Sequence, residues 1–357
     1  MDPAWVCSGC EMPIYEIDPT RDPRWDELLD THPGGSIFHT RGWLEALRRT
    51  YGYAPVAIST SPPGCRLANG LPFCEISSWL TGRRLVSVPF SDHCTPLVES
   101  SEQLACLLSY LRGNLTRERW SYIELRPTDS AVARETGFGR SKVYLFHKLD
   151  LRPCLDDIFQ KFHKDCVRRK IQRAEREGLA CEEGRSVELL SMFYQLLVIT
   201  RRRHGLPAQP LAWFQNLIAC LGEKVKIRVA SKGGQPIASI FTIRYKQSLV
   251  YKYGGSDPRF NNMGGTQFLF WRAIQEAKEC QFSEFDMGRS DCDNPGLVAF
   301  KDRWGASRTE LVYLRYPARN SHGVSETGQA LISKYVWSHA PSCMLAAAGR
   351  AFYKHMG

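Results

Sequence analysis

Residues Leu249–Ser290 read LVYKYGGSDPRFNNMGGTQFLFWRAIQEAKECQFSEFDMGRS. The first five, Leu249–Tyr253, predict a strand. A glycine-rich turn follows, Thr266–Gln281 places apolar residues at helical spacing, and Glu284–Met287 returns as a strand. Just upstream, Lys226–Ala230 and Ile237–Tyr245 predict two more strands, joined by the hairpin turn Lys232-Gly233-Gly234-Gln235. Downstream come a loop, a short helix near Leu297–Trp304 and a strand Glu310–Tyr316. Helices are expected at Leu155–Glu177, ended by Gly178, at Val187–His204 and at Leu211–Leu221.

The first half of the chain repeats this order. A helix at Trp43–Tyr51 leads to the strand Pro55–Ser59. The turn-rich SPPGCRLANG connects it to strands Leu71–Ile76 and Arg84–Val88. A helix at Gln103–Leu115 and strands at Trp120–Leu125 and Lys142–Leu149 complete the set. One mixed α/β lobe is therefore written twice, each a mixed sheet flanked by helices. The boundary is expected near Leu151-Arg152-Pro153, where proline breaks regular structure. Residues 1–12 read as a flexible tail, 13–150 as the first lobe, 151–317 as the second, and 318–357 as a helical appendage.

A chain of 357 residues has room for two cores, and its 43% apolar and 24% charged content argues against extensive disorder. The net charge of +10 favours anionic partners: nucleic acid, phosphate-bearing carriers or an acidic membrane surface. Thirteen cysteines are scattered without a disulfide framework, and Met1–Cys10 lacks the apolar core of a secretory signal. Together these point to a reducing, cytoplasmic setting. No apolar run is long enough to span a bilayer. Cys7-x-x-Cys10 is half of a zinc site with no second pair at suitable spacing, so no metal is expected.

Several phrases resemble the FemAB-like branch of the GNAT superfamily. They are FHTRGWLEAL at Phe38–Leu47, LPF at Leu71–Phe73 and VRRKIQRAEREGL at Val167–Leu179. The most specific block runs from YKYGGSD at Tyr251–Asp257 through FDMGRS at Phe285–Ser290 to FKDRWGA at Phe300–Ala306. The resemblance implies tandem GNAT-like lobes and transfer of an acyl or aminoacyl group onto an amine or hydroxyl. Some members of that family take the group from aminoacyl-tRNA and build peptidoglycan cross-bridges. Others are associated with polysaccharide or lipid export and are thought to use acyl-coenzyme A. The expected enzyme needs no tightly bound cofactor and takes acyl-CoA or aminoacyl-tRNA as co-substrate. Its expected partners are an envelope or saccharide precursor, a tRNA, and peripheral contact with an anionic membrane surface.

The glycine turn before Thr266 admits two readings. Open backbone amides and the helix dipole can bind a phosphate, and GNAT proteins hold the donor's pyrophosphate there, which nominates Arg259, Asn262, Gly264, Gly265 and Thr266. Alternatively the glycines serve only the geometry of a strand-to-helix turn. The matching connection in the first lobe, Pro89–Glu99, contains no glycine, so the donor site is expected in the second. Lys301 matches a lysine of the FemAB pattern and is the candidate cation for an oxyanion or phosphate; an ordinary surface ion pair is the plainer reading. Asp286 and Arg289 sit just past a strand end beside it. Asp92 and His93, in PFSDHCTP, are the candidate general bases of the first lobe, against a loop in which Asp92 caps and His93 is solvated. Tyr253 and Asp257 are further candidates. Arg169 and Arg173 belong to a basic helix suited to a nucleic-acid or lipid phosphate, or to a solvated face carrying ordinary ion pairs. A non-catalytic RNA-binding protein and an envelope-assembly scaffold are the competing functions.

Overall fold

The computed structural model describes residues 5–7, 10–79, 82–129, 132, 137–318 and 341–356. Its contacts divide the chain into two units. Unit 1 runs to Tyr144 and takes in the strand from Glu310 onward and the chain's end from Tyr353. Unit 2 runs from Leu145 to Thr309 and takes in the last helix up to Phe352.

In unit 1, β1 (Trp5–Cys7) pairs antiparallel with β2 (Cys10–Ile17), so part of the stretch expected as a tail is strand. Helix α1 (Pro23–Thr31) was not foreseen. Helix α2 (Arg41–Tyr51) starts where the Thr40 side chain accepts from the Trp43 amide and stops at left-handed Gly52. It buries Trp43, Leu44 and Leu47. Strands β3 (Ala54–Ser59), β4 (Leu71–Ser78) and β5 (Gly82–Val86) form an antiparallel meander. Helix α3 (Ser101–Asn114) then packs Leu104, Leu107, Leu108 and Leu111 with Phe73, Leu85 and Ile123. The chain returns as β6 (Ile123–Leu125), parallel to β5. Cys106 on α3 is disulfide-bonded, which the scattered cysteine spacing did not suggest.

Unit 2 follows the same plan with longer elements. The expected continuous helix Leu155–Glu177 is broken into α4 (Leu155–Lys161), a wide turn at Lys164–Arg168 and α5 (Arg169–Arg176). Phe162 is extended, the His163 amide bonds to the Arg303 carbonyl, and the His163 ring accepts from the amides of Asp165 and Cys166, restarting the helix. Strand β8 (Ala180–Gly184), α6 (Val187–Arg203) and α7 (Leu211–Leu221) follow. Strands β9 (Val225–Lys232), β10 (Gln235–Tyr245) and β11 (Ser248–Ser256) form the meander, with left-handed Gly233 and Gly234 making the expected turn. Helix α8 (Gly265–Glu279) leads to β12 (Glu284–Asp291), parallel to β11. Then comes α9 (Pro295–Asp302).

Strand β10 is buried continuously from Ile237 to Ile243 because helices cover both its faces. Ile240 faces the cluster containing Leu269, Ala273 and Ile274 of α8. Phe241, on the opposite face, meets Phe193 of α6 and Phe214 of α7. Gly255 on β11 lets α6 approach; a Cβ there would lie 2.5 Å from the main chain at Leu196–Leu197.

Strand β7 (Gly139–Asp150) is divided between the units after Tyr144, earlier than the expected boundary near Leu151. The last strand, β13 (Ser307–Tyr316), is a second correction. Its residues Leu314–Tyr316 pair antiparallel with β6, so this end completes unit 1 and not the second lobe. Of the expected appendage, 319–340 lies outside the described residues, and Ser342–Met356 forms α10, whose Leu345 packs with Val198 and Ala208.

His39 is fully buried in unit 1. Its Nδ1 accepts from the Ser36 amide, and Nε2 lies 2.9 Å from the Thr95 carbonyl. Burial pushes the imidazole down to about 4. The unfolded chain therefore binds a proton that the folded chain refuses, and stability is lost as pH falls from 6.5 towards 4. Urea unfolding at pH 7.5 and 4.5 should show a wild-type loss roughly 2.5 kcal/mol larger than that of His39→Gln. Equal losses would contradict this assignment.

Candidate functional site

Helix α8 begins without a side-chain cap: Gly264 stands at its cap position with φ +75°. Its first intrahelical bond runs from the Phe268 amide to the Gly264 carbonyl. The amides of Gly265, Thr266 and Gln267 therefore precede the helical ladder and carry the positive end of its dipole. A cavity of about 260 Å³ opens there, lined by Lys170, Ser256, Asn261, Thr266 and Gln267 over Ile237, Ala238 and Phe300. Gly264 sets this up twice. Its left-handed backbone suits glycine, and a Cβ would collide with the Lys170 carbonyl. That close approach of α5 to the start of α8 puts Lys170 on the cavity wall.

Of the five residues expected to hold a carrier, Gly265 and Thr266 line the cavity. Arg259 is turned onto Asp257, its Nε 3.1 and 3.0 Å from the two carboxylate oxygens and its Nη2 2.6 Å from Oδ2. Those hydrogen bonds hold the Asp257 carboxyl below the usual range. Asp257 in turn caps the short helical turn Pro258–Met263. Asn261, rather than Asn262, reaches the cavity.

A second constellation forms around Gly288 on β12. This glycine is left-handed, with φ +72°, and its carbonyl and that of Arg289 both accept from the Lys301 ammonium, at 2.8 Å and 2.9 Å. Asp286 accepts from the Gly288 amide at 2.7 Å and so holds the same kink. The structure thus brings Asp286, Arg289 and Lys301 together, as expected, but around the main chain. Lys301 is 2% exposed, so neither an open oxyanion cation nor a surface ion pair describes it. Strands β11 and β12 pair only from Ser248↔Glu284 to Val250↔Asp286, although both continue beyond. Lys252 is an extra residue in the β10–β11 ladder, which bends β11 at that level.

Sequence reasoning missed His147, whose fully buried ring lies 3.2 Å from Asp302. Burial and then the Lys301 charge keep its imidazole below the ordinary range. Its Nδ1 is buried with no hydrogen-bond partner among the described residues. Lys170 lay inside a recognised basic run; Ser256 and Gln267 carried no signal beyond their nearness to the glycine turn.

Other expectations are corrected by burial. Tyr253 belongs to the core: its hydroxyl accepts from Trp213 Nε1 at 2.8 Å and its ring meets Phe214 edge-on. Arg169 and Arg173 lie on the outer side of α5, paired with Asp165 and Glu177. In unit 1, Asp92 and His93 are 8% and 9% exposed, so His93 is not solvated. Their loop is held by buried Glu124, which accepts from Arg126 and Arg315. Burial raises the Glu124 carboxyl, but the two guanidiniums outweigh it and hold it low. Arg126 also donates to the Val88 carbonyl, and the Tyr313 hydroxyl to that of Asp92. The result is a loop with Val88 and Phe90 at positive φ, a costly conformation that many contacts enforce. A larger cavity of about 1110 Å³ lies elsewhere in unit 1, floored by Val56, Ile58, Phe73 and Leu85, and none of the predicted residues line it.

The model of the acetyltransferase (GNAT) domain matches residues 161–301. Over 140 residues the chain is 26% identical to UDP-N-acetylmuramoylpentapeptide-lysine N(6)-alanyltransferase of Weissella viridescens. That alignment spans 37% of this chain and 40% of the enzyme's length. The fold is similar to the crystal structure of FemX, with TM-score 0.68 and 15% identity over 85% of this chain and 97% of that one. It is also similar to L-PGS from Bacillus licheniformis, with TM-score 0.55 and 16% identity over 89% and 98%. A third likeness is to the tandem GNAT protein of the clavulanic acid pathway, with TM-score 0.53 and 11% identity over 87% and 100%. The fold is thus a tandem GNAT fold.

Replacing Lys301 removes the donor from two converging buried carbonyls. Lys301→Ala should therefore cost about 2–4 kcal/mol of stability. Urea titration checks this, and a loss near zero would show the clamp to be unimportant. Gly264→Ala should also lower the melting temperature, since both backbone and space oppose it.

Proposed function

We propose that this chain is a FemAB-related member of the GNAT superfamily and that it transfers an acyl or aminoacyl group from a phosphorylated carrier to an amine or hydroxyl of a cell-envelope precursor. The observation that carries this reading is the uncapped start of α8, which opens on a cavity beside Lys170. Amides at the positive end of a helix dipole, with an ammonium beside them, form a site for a phosphate.

The reaction is a substitution at a carbonyl. The acceptor nitrogen or oxygen attacks the ester or thioester carbon, an oxyanion forms, and the carrier leaves as a hydroxyl or thiol. Among the described lining residues of the cavity none is a carboxylate or imidazole, so water takes the acceptor's proton. Lys301, Asp286 and Gly288 act as positioning residues. They fix the main chain of β12 where it parts from β11, so that the groups facing the carrier need no rearrangement during reaction. The carrier arrives as a co-substrate, acyl-CoA or aminoacyl-tRNA, both of which present phosphates. The Weissella enzyme is named as an alanyltransferase acting on a muramoylpentapeptide lysine, which supports an aminoacyl donor and an envelope acceptor. The basic outer side of α5 is compatible with a tRNA backbone. Such carriers place the reaction on the cytoplasmic side of the envelope.

A thermal-shift comparison of acetyl-CoA with an aminoacylated tRNA acceptor-stem helix separates the two donors. The true carrier at a hundred times its Kd should stabilise the protein by about 2.7 kcal/mol. Lys170→Glu should remove that shift without lowering the unliganded melting temperature. No shift with either carrier, or an undiminished shift in the variant, would overturn the reading.

A further inference from the structure

We propose that His147 is a positioning residue of the transferase site: through Asp302 it holds α9 against β7, and so keeps Lys301 on the carbonyls of β12. This role rests on the transferase reading and adds to it a residue outside the cavity at the start of α8. Lys301 and Asp302 are consecutive at the end of α9, yet they reach different strands. Lys301 donates to the Gly288 and Arg289 carbonyls of β12, while Asp302 Oδ1 lies 3.2 Å from Nε2 of His147 on β7. The two strands run side by side here, since the Leu151 amide donates to the Ser283 carbonyl and Lys148 pairs with Glu284. One short helix is thus pinned to both.

The chemistry of the pin fixes the state of the ring. An ionised carboxylate only accepts, so Nε2 donates and carries the proton of the neutral imidazole. Nδ1 is then the bare nitrogen, and it is buried with no partner among the described residues. A proton added there would make a buried N–H without an acceptor, close to the Lys301 ammonium. The His147 side chain is 0% exposed and that of Asp302 is 41% exposed, so water reaches the carboxylate and not the ring. The charges that act on the ring are Lys301 and Asp302 from α9 and Arg308 from β13. On β12, Asp286 is engaged by the Gly288 amide. Arg308 also lies 3.4 Å from Asp302 Oδ2, leaving Oδ1 to His147. Burial first, and then the Lys301 charge, keep the imidazole below its ordinary range, in agreement with the neutral form that the geometry requires. The closed arrangement therefore accepts the neutral ring and rejects the imidazolium. As pH falls below 6.5, it loses stability relative to one in which α9 has moved off the strands.

Turnover and hydrogen exchange in the full chain test this. Asp302→Ala changes a partly exposed position and leaves the core alone. It should lower kcat about tenfold with the carrier KM nearly unchanged, since a charge-assisted hydrogen bond is lost. In the same variant the amides at Gly288–Ser290 should lose about tenfold in protection against exchange while those of β10 keep theirs. His147→Ala should show the same two losses. His147→Gln keeps a donor for Asp302 and cannot take a proton, so it should recover the turnover and lack the acid limb that the wild type shows below pH 6.5. Equal exchange at Gly288–Ser290 in wild type and Asp302→Ala, or an acid limb that survives in His147→Gln, would overturn the proposal. A wild type without turnover on either carrier would count against the transferase reading alone, and the exchange comparison would still decide this one.

Discussion

A single buried ammonium organises the second unit. Lys301 reaches from α9 to two successive carbonyls of β12, those of Gly288 and Arg289, at a point where Gly288 is left-handed. An extended strand would send them to opposite sides. Asp286 ties the Gly288 amide from below, so a carboxylate and an ammonium hold one kink from both directions. The cost of burying that charge is offset because two acceptors are aimed at it before it arrives. His147 registers the same field, since burial and the nearby positive charge both keep its ring neutral. The motif residues are thus conductors of shape: they set where β12 leaves β11.

The two units share a topology and differ in how the chain leaves the third strand of the meander. In unit 2 the connection ends in Gly264, and α8 starts with bare amides against a cavity. In unit 1 it runs through Val88 and Phe90 at positive φ, and the Glu124–Arg126–Arg315 ion cluster holds it. A phosphate needs open amides; a loop nailed down by a buried carboxylate and two guanidiniums offers packing instead. The asymmetry follows from residue type: glycine permits the close approach to α5 in one unit, and larger side chains fill the corresponding connection in the other.

Elements whose formation depends on neighbours in the chain were legible from residue order. The meander β9–β10–β11 with its Gly233-Gly234 turn, α6, α8 and the return strand β12 all follow from period and punctuation. The interruption at Phe162–His163 was not legible, because an uninterrupted charged helical pattern passes through it. The break comes from a ring nitrogen recapturing two amides and from the His163 amide bonding to the Arg303 carbonyl. Strand β13 was foreseen as a strand, but its partner β6 lies almost two hundred residues away in the chain, and register over that distance is set by packing.

The site shows the same division. Residue order predicted a glycine-opened helix and the resemblance nominated Lys301, whereas Asp286 and Arg289, expected just past a strand end, lie within β12. Only the tertiary structure decided that Arg259 belongs to Asp257, that Asn261 and not Asn262 faces the cavity, that Tyr253 is core, and that Lys170 comes from a distant helix to complete the wall. Side-chain direction and burial depend on what packs against each element, and that information is carried by contacts between residues far apart in the chain.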